Sequence, residues 1–537
     1  MPLELSPADR RVLGLLCLLL LVIYLLTMAG RLTSGDGETV YQTTKAMVTR
    51  RQLSVPPRPE TALGRTGAYY GKYGLGQSLV QAPFYVVGHV AGRLVGATDD
   101  RASRFAVASA NAFVTTALVA LVWLLARTLG AGAGAATAVA LTLGLGTLLW
   151  PYARSDFSEP LQTLLLLLAF LLMLWWSLTP TRWLAVGVGS AAAGAFLTKA
   201  ASTVPLAPLG AYFLYLVWRR LGPRPPALLT LMWAGLPFAL AVLAQASLNL
   251  YRFGSVSEFG YGSEPAVGFT TPVLSGIGYL LFSTGKGFVW FATPAALGAL
   301  LLPLLARHRS AETLAIGGVF VCELLYFARW WAWHGDWSWG PRYLYLTVPF
   351  LLLPFALLLQ RAVVRGLFAA VSAVGVAVAI LGVSIDYGGY YSIVGAQLGR
   401  GVDVADARLV PPFSPILGHA WLARASLHHA VSSGNDRDHD PRENPAWGQH
   451  PWAASHPDLV PEAPERAVGF DFWFLALPER NRFAEFWSWL SAAWLAAGGL
   501  RLGLAFVRAL RPSLHRRRLA VLTRDTPDRM ELAWQRG

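Results

Sequence analysis

The tripeptide Asp36-Gly37-Glu38 stands a few residues past a long apolar run, Val12 to Gly30, and opens a polar loop rich in Tyr, Lys and Gly. Charged residues make up only 14% of the chain, so a carboxylate pair at a membrane exit is placed for chemistry at a lipid–water boundary. An ionised Asp there can take the proton of a poorly nucleophilic hydroxyl as a bond forms. Read blandly, the pair is a solvated loop just beyond a helix end. The same loop continues into GRTGAYYGKYGLGQSL, Gly64 to Leu79, whose glycines permit close backbone approach to a ligand. Within it Lys72, set between Tyr70 and Tyr73, offers a cation to a phosphate at the membrane face, although a snorkelling lysine is also common.

Two further segments carry ionisable groups at span boundaries. WPYARSDFSEPL, Trp150 to Leu161, holds Arg154, Asp156 and Glu159. Asp156 and Glu159 are three residues apart, so on a helical turn they share a face, and one of them would join Asp36 in an acidic site. Glu159-Pro160 at the mouth of a helix is well placed to be held still. WWAWHGDWSWGPRY, Trp330 to Tyr343, has the tryptophans of an interfacial belt, but a belt leaves His334, Asp336 and Arg342 unexplained. Arg342 can fork onto a phosphate, and Trp339 suits the apolar face of a sugar or a prenyl chain. Lys199 and Lys286 stand at span ends on the same side, where each is either a snorkelling anchor or part of a cationic face shared with Lys72 and Arg342.

Apolar runs long enough to cross hydrocarbon must position these residues. The chain has 537 residues, 55% of them hydrophobic, and a mean hydropathy of +0.46. This predicts an all-α polytopic membrane protein of about twelve transmembrane helices, each of roughly 17–25 residues. They run Val12–Gly30, Phe105–Arg127, Ala131–Trp150, Leu161–Leu178, Trp183–Lys199, Val204–Trp218, Ala227–Leu250, Gly287–Ala306, Thr313–Trp333, Tyr343–Gln360, Gly366–Ile385 and Phe486–Val507. The first reads as a retained signal anchor, since no small-residue cleavage pattern follows it. Cys17 and Cys322 fall inside apolar runs, so no disulfide framework or cysteine metal site is indicated.

Basic residues of short loops favour the cytoplasmic side. If Gly76 to Gly96 lies along the membrane surface or re-enters, Arg127, Arg182, Arg219, Arg220, Arg224, Arg307, Arg309, Arg361, Arg365 and the Arg516-Arg517-Arg518 tail all fall inside. The segments 31–104, 151–160, 251–286 and 333–342 then face the extracytoplasmic side of a cell inner or plasma membrane. Much of the net charge of +14 is explained by this sidedness. No nucleic-acid partner is expected, because the basic residues do not line one soluble face.

Three regions follow. Residues 1–385 form the transmembrane catalytic module, with 31–104 as its first outer loop. Residues 386–485 form an extracytoplasmic loop, partly flexible at SSGNDRDHDPRENP, with an alternating piece GFDFWFLAL that reads as a strand or a surface-lying segment. Residues 486–537 give a last transmembrane helix and a basic cytoplasmic tail. No internal repeat is found, nor a matched pair of broken helices of the inverted-repeat transporter kind.

The order apolar span, SGDGE, KYGLGQSL, YxRxxxSEP, NLYRFGSVSEFGYG, LLFSTGKGF and WSWGPRYL resembles the bacterial membrane glycosyltransferases of the GT-C superfamily. The likeness is strongest to the protein-mannosyltransferase-like and aminoarabinose-transferase-like branch, and it covers Val12 to about Ile385. The resemblance implies juxtamembrane helices in the first outer loop. It also implies transfer of a sugar from a polyprenyl-phosphate carrier to an acceptor on the extracytoplasmic face, with Asp36 as the catalytic carboxylate. Lys72 resembles the lysine that contacts the carrier phosphate. Glu159 matches the second-loop acidic position, where many relatives have Asp. The family's Asp-Glu pair stands here as Asp-Gly-Glu, a departure that bears on Glu38.

The chemistry expected is a single inverting displacement. Asp36 acts as base with Glu38 beside it; Lys72, Arg342 and Lys199 stabilise the leaving phosphate, and Glu159 supports the oxocarbenium-like centre or orients the acceptor. Tyr70, Tyr73, Arg154, Asp156, His334, Asp336 and Trp339 are the substrate-groove candidates, with the carrier tail beside Gln77 to Gly88 and Trp330 to Trp339. Partners are the polyprenyl-phosphate sugar, membrane lipids, and a glycan, lipid or protein acceptor. No cofactor or metal ligand set is assigned. Carboxylates and His334 on one side leave a divalent ion open, but no recognised ligand spacing marks a site. From other classes stand a secondary transporter or lipid flippase, which would carry ionisable groups near the midplane of its helices, and a glycan ligase or polymerase with a wider cationic groove.

Overall fold

A backbone that enters hydrocarbon has to satisfy its own hydrogen bonds, and the apolar runs of this chain do so as helices. The computed structural model describes residues 5–96, 100–335, 337–395, 406–432, 469–476 and 482–522. Among them eight helices are long and apolar enough to cross a membrane: Pro7–Thr27, Arg101–Thr128, Glu159–Leu178, Ala200–Leu221, Pro225–Phe253, Ser310–Arg329, Ala362–Ser384 and Phe486–Leu510. Ala133–Leu145, Val273–Phe282 and Arg342–Leu358 are shorter apolar helices. The chain is a multi-pass, helical membrane protein.

Three expected elements differ. The run Gly287–Ala306 is broken into Phe288–Phe291, Thr293–Leu300 and Leu302–Ala306. Pro294 and Pro303 each stand in the first turn of a new piece, where the missing N–H costs nothing, and so restart the helix. The run Ala131–Trp150 ends as a helix at Leu145 and resumes as the short turn Leu149–Ala153. Conversely, the segment 251–286, expected as an outer connection, contains the apolar helix Val273–Phe282.

The first loop is built on α1 (Pro7–Thr27), α2 (Gly35–Arg50) and α3 (Leu75–Leu94). Between α2 and α3 lies a small antiparallel sheet that the sequence did not announce: β1 (Ser54–Val55), β2 (Thr61–Leu63) and β3 (Tyr69–Gly71), in the order β1-β3-β2. Strands this short carry no readable alternation. Helix α3 occupies the Gly76–Gly96 segment and is turned polar side in: Gln77, Ser78 and Gln81 are buried, whereas Leu79, Val86, Val87, Val90 and Leu94 are exposed. Gln77 donates to Asn111 of the helix Ala110–Thr128 at 3.1 Å. An outward apolar face of this kind suits contact with lipid.

One large apolar core runs through the bundle, with Tyr24, Trp123, Phe170, Trp176, Phe350 and Phe355 buried in it. Small residues let spans approach closely: the Cβ position of Gly189 is 1.9 Å from the Ala234 carbonyl of the helix Pro225–Phe253.

Residues 433–468, which hold nearly all of the SSGNDRDHDPRENP stretch, and the tail beyond 522 lie outside the described residues, as does Asp336. The alternating piece makes one antiparallel bridge, Ile385 with Phe470, and then turns into the helix Trp473–Ala476.

Candidate active site

Asp36 sits in the first turn of α2. Ser34 caps that helix by accepting from the Gly37 N–H at 2.9 Å, and an acid in the first turn is favoured by the helix dipole. The cap is itself held. Asp156 accepts from the N–H groups of Thr33 and Ser34 at 2.9 and 3.3 Å, and from their hydroxyls at 3.3 and 2.7 Å. Burial pushes the Asp156 carboxyl up from its ordinary value, and the bonds from Ser34 and Thr33 pull against that rise. Asp156 is therefore a support for the Asp36 turn and does not line a groove.

The acidic partner of Asp36 is Glu159, the first residue of the helix Glu159–Leu178. Arg342 joins the two: its Nη2 donates to Asp36 Oδ2 at 2.5 Å and its Nε to Glu159 Oε1 at 2.7 Å. The guanidinium lies over the Phe157 ring at 4.0 Å, so its planar face is covered as well. Lys199, which ends the helix Arg182–Thr198, donates to the same Glu159 Oε1 at 2.8 Å and lies 5.4 Å from the Tyr343 ring. Glu159 Oε2 is buried with no hydrogen-bond partner. The other oxygen of Asp36 accepts from the Tyr73 hydroxyl at 2.5 Å. Burial, and then Asp36 itself, push the Tyr73 phenol far above its usual value, so it stays a donor.

Lys72 stands 5.6 Å over the Tyr261 ring and makes no ion pair among the described residues. Burial, and then the charge of Asp36, raise the Tyr261 phenol to about 12. Arg252, near the end of the helix Pro225–Phe253, donates to the Gly71 and Tyr73 carbonyls at 3.0 and 3.5 Å and so props the strand end that carries Lys72 and Tyr73.

The structure thus brings together Asp36, Tyr73, Glu159, Lys199 and Arg342, with Lys72 nearby. It does not bring the remaining candidates there. Glu38 is two residues past Asp36, about 200° around the helix, and its carboxylate takes both Nη atoms of Arg104, at 2.5 and 2.8 Å. Burial raises the Glu38 carboxyl, but the Arg104 and Gln42 bonds outweigh this and hold it below the usual range. Arg154 is buried against Asp471. Tyr70 packs edge-on against Tyr251 and Phe253. Trp339 is a packing residue, 2% exposed and set against Phe291 and His419. His334 is buried and lowered to about 3, by burial and then by Arg408 and Lys286, so it is a neutral imidazole.

Phe157, Tyr261, Tyr343 and Arg252 belong to the site and were not nominated from sequence. Each lay inside a quoted motif, but as an aromatic or a helix-end arginine it has no spacing signal of its own. Among the described residues, no three or more His, Cys, Asp or Glu side chains gather where they could hold a metal ion.

No protein-family model matches the chain, and no curated protein matches it. Solved structures with a similar arrangement do exist. One is ArnT from Cupriavidus metallidurans bound to undecaprenyl phosphate, at TM-score 0.47 and 14% identity over 82% of this chain and 84% of that one. The apo state of the same protein matches at TM-score 0.45 and 16% identity, over 78% and 70%. The Archaeoglobus fulgidus oligosaccharyltransferase, in complex with Zn and sulfate, matches at TM-score 0.41 and 13% identity, over 75% of this chain and 58% of that chain.

Proposed function

We propose that this protein is a GT-C-type glycosyltransferase that moves a sugar from a polyprenyl-phosphate donor to an acceptor hydroxyl on the extracytoplasmic face, with Asp36 as general base. The observation that carries the reading is the Arg342 bridge. A partly exposed carboxylate, Asp36, and a buried one, Glu159, are held on one guanidinium where several span ends meet, with Lys199 on the same Glu159 oxygen and Lys72 over the Tyr261 ring. This pairs a proton acceptor with cations suited to a phosphate.

In the reaction the acceptor oxygen attacks the anomeric carbon from the face opposite the phosphate. Its proton passes to Asp36, the carbon–oxygen bond to phosphate breaks, and the phosphate leaves with the electron pair towards Lys72, Lys199 and Arg342. One displacement inverts the anomeric centre. Glu159, buried and anchored through Oε1, holds Lys199 and Arg342 in place and supports the oxocarbenium-like centre with its negative charge. Transfer of radiolabelled sugar from a panel of polyprenyl-phosphate sugars by wild type and by Asp36→Asn tests this. Turnover that disappears in the variant supports the reading, whereas no turnover by wild type with any donor, or an active variant, would sink it.

One observation favours a transporter or flippase. Glu323 lies within the span Ser310–Arg329, 0% exposed, and both its carboxylate oxygens lack a hydrogen-bond partner. An intramembrane acid is a usual mark of ion or substrate translocation. Under that reading, Glu323→Gln abolishes lipid or solute flux into proteoliposomes; under the glycosyltransferase reading, no such flux exists.

A further inference from the structure

The segment 469–476 returns to the bundle after the long stretch 433–468 and binds at the foot of the loop that carries Asp36. Its alternation has a definite use. Phe470, Phe472 and Phe474 stack on one side, with centroids 6.2 and 5.7 Å apart, while Asp471 and Trp473 are buried on the other. The Trp473 N–H donates to the Met28 carbonyl and its indole N–H to Leu25, each at 3.0 Å. Gly30, at φ +70°, has its Cβ position 2.6 Å from the Trp473 Cβ, so only a glycine permits this turn against this ring.

The Asp471 carboxylate takes Arg31 on Oδ1 at 2.9 Å and Arg154 on Oδ2. Its carbonyl takes Arg154 at 2.7 Å, and its N–H donates to Ser384 at 2.9 Å. Arg31 stands two residues before Thr33, and Arg154 two residues before Asp156. Asp156 in turn binds Thr33 and Ser34. Asp471 thus closes a ring: one carboxylate holds the two strands of chain that Asp156 then ties together, and Ser34 at the tie caps the helix bearing Asp36. Asp386 also reaches Arg31, at 3.4 Å, but Arg154 has Asp471 as its only acidic partner among the ion pairs of the described residues. The Arg154–Asp471 pair is 7% and 8% exposed, where loss of one partner is felt strongly.

We infer that Asp471 is a positioning residue for Asp36, setting the turn from Arg31 to Gly37 from a point remote in sequence; this rests on Asp36 being the reacting group. The test uses the full chain in lipid or detergent, with Asp471→Asn and, should that variant fold poorly, Arg31→Met, which cuts only the more exposed arm. Amide exchange is expected to rise across residues 31–40 and to stay unchanged in the span Glu159–Leu178. Polyprenyl-phosphate turnover should lose about 10–100-fold in kcat, the scale of a misplacement near 1 Å, with donor KM within about threefold. Unchanged exchange at 31–40, or full activity in Asp471→Asn, overturns the assignment. If wild type turns over no donor, the sugar-transfer reading fails by itself and the exchange pattern alone decides for or against the positioning.

Discussion

The carboxyl group of Asp156 fills the space that a side chain at Gly37 would need: a Cβ built there lies 2.1 Å from Asp156 Cγ and 2.2 Å from Oδ2. The glycine between Asp36 and Glu38 is thus a consequence of how the turn is held. The second loop's acid presses on the first loop's helix, and only a residue without a Cβ lets it reach Thr33 and Ser34.

Gly37→Ala sets two effects against each other. Alanine within a helix gains about 0.5–1 kcal/mol over glycine. Here the overlap forces Asp156 out and breaks its bonds to Thr33 and Ser34, and overpacking of this kind costs about 1–3 kcal/mol. The expected outcome is a lower melting temperature in detergent and a large loss of transfer activity. Gly14→Ala is the control: α1 leaves nothing within 4 Å of that Cβ position, so it should be neutral or slightly stabilising.

Arg342→Lys separates charge from geometry. The guanidinium uses Nη2 on Asp36 and Nε on Glu159 at once, and an ammonium cannot span both with a rigid fork. The variant should fold, because Lys199 still neutralises the buried Glu159. It should lose about 10–100-fold in kcat as Asp36 is left unaligned. Near wild-type turnover would show that charge alone matters at this position.

Glu38→Gln addresses the acid on the far face of α2. Its carboxyl is held below the usual range in the folded protein, so its contribution to stability is complete above the ordinary Glu value of about 4.3. That contribution is lost as pH falls through the lower folded value. Melting temperature of wild type should therefore drop in that acid window, and Glu38→Gln should flatten this part of the profile. At neutral pH the cost is less than about 1 kcal/mol, since Arg104 is 34% exposed. Turnover should change little.

What the sequence disclosed follows from what leaves a periodic or compositional mark. Apolar runs did, so most spans are where hydropathy placed them. Asp36, Glu159, Lys199 and Arg342 were legible because ionisable residues at span ends are rare enough to count. Their pairing was not: that Arg342 bridges two carboxylates separated by 306 and 183 residues is tertiary information. The misplacement of Glu38, Trp339 and Tyr70 has one cause, that residue type gives chemistry but not facing. Two residues along α2 is a reversal of side, and a tryptophan in a belt-like segment is equally at home in the core. The sheet β1-β3-β2 and the clamp at Asp471 rest on two or three residues each, too few to show a period.

Lys72 and Lys199 should behave differently when removed. Lys199 is committed to Glu159, whose side chain is 2% exposed, so Lys199→Ala strips a buried carboxylate of one of its two cations and should cost both stability and activity. Lys72 has only the Tyr261 ring as a described partner, and a side chain away from the core that is truncated to alanine usually shifts stability by no more than about 0.5 kcal/mol. If it is the cation held ready for the carrier phosphate, Lys72→Ala should leave the melting temperature unchanged and raise donor KM about tenfold or more, the weight of one charge-assisted contact of about 1.5–3 kcal/mol. Polyprenyl phosphate without a sugar should then stabilise wild type against heat and fail to stabilise the variant. Equal thermal shifts in both proteins would remove Lys72 from the phosphate site and leave Arg342 and Lys199 as its cations.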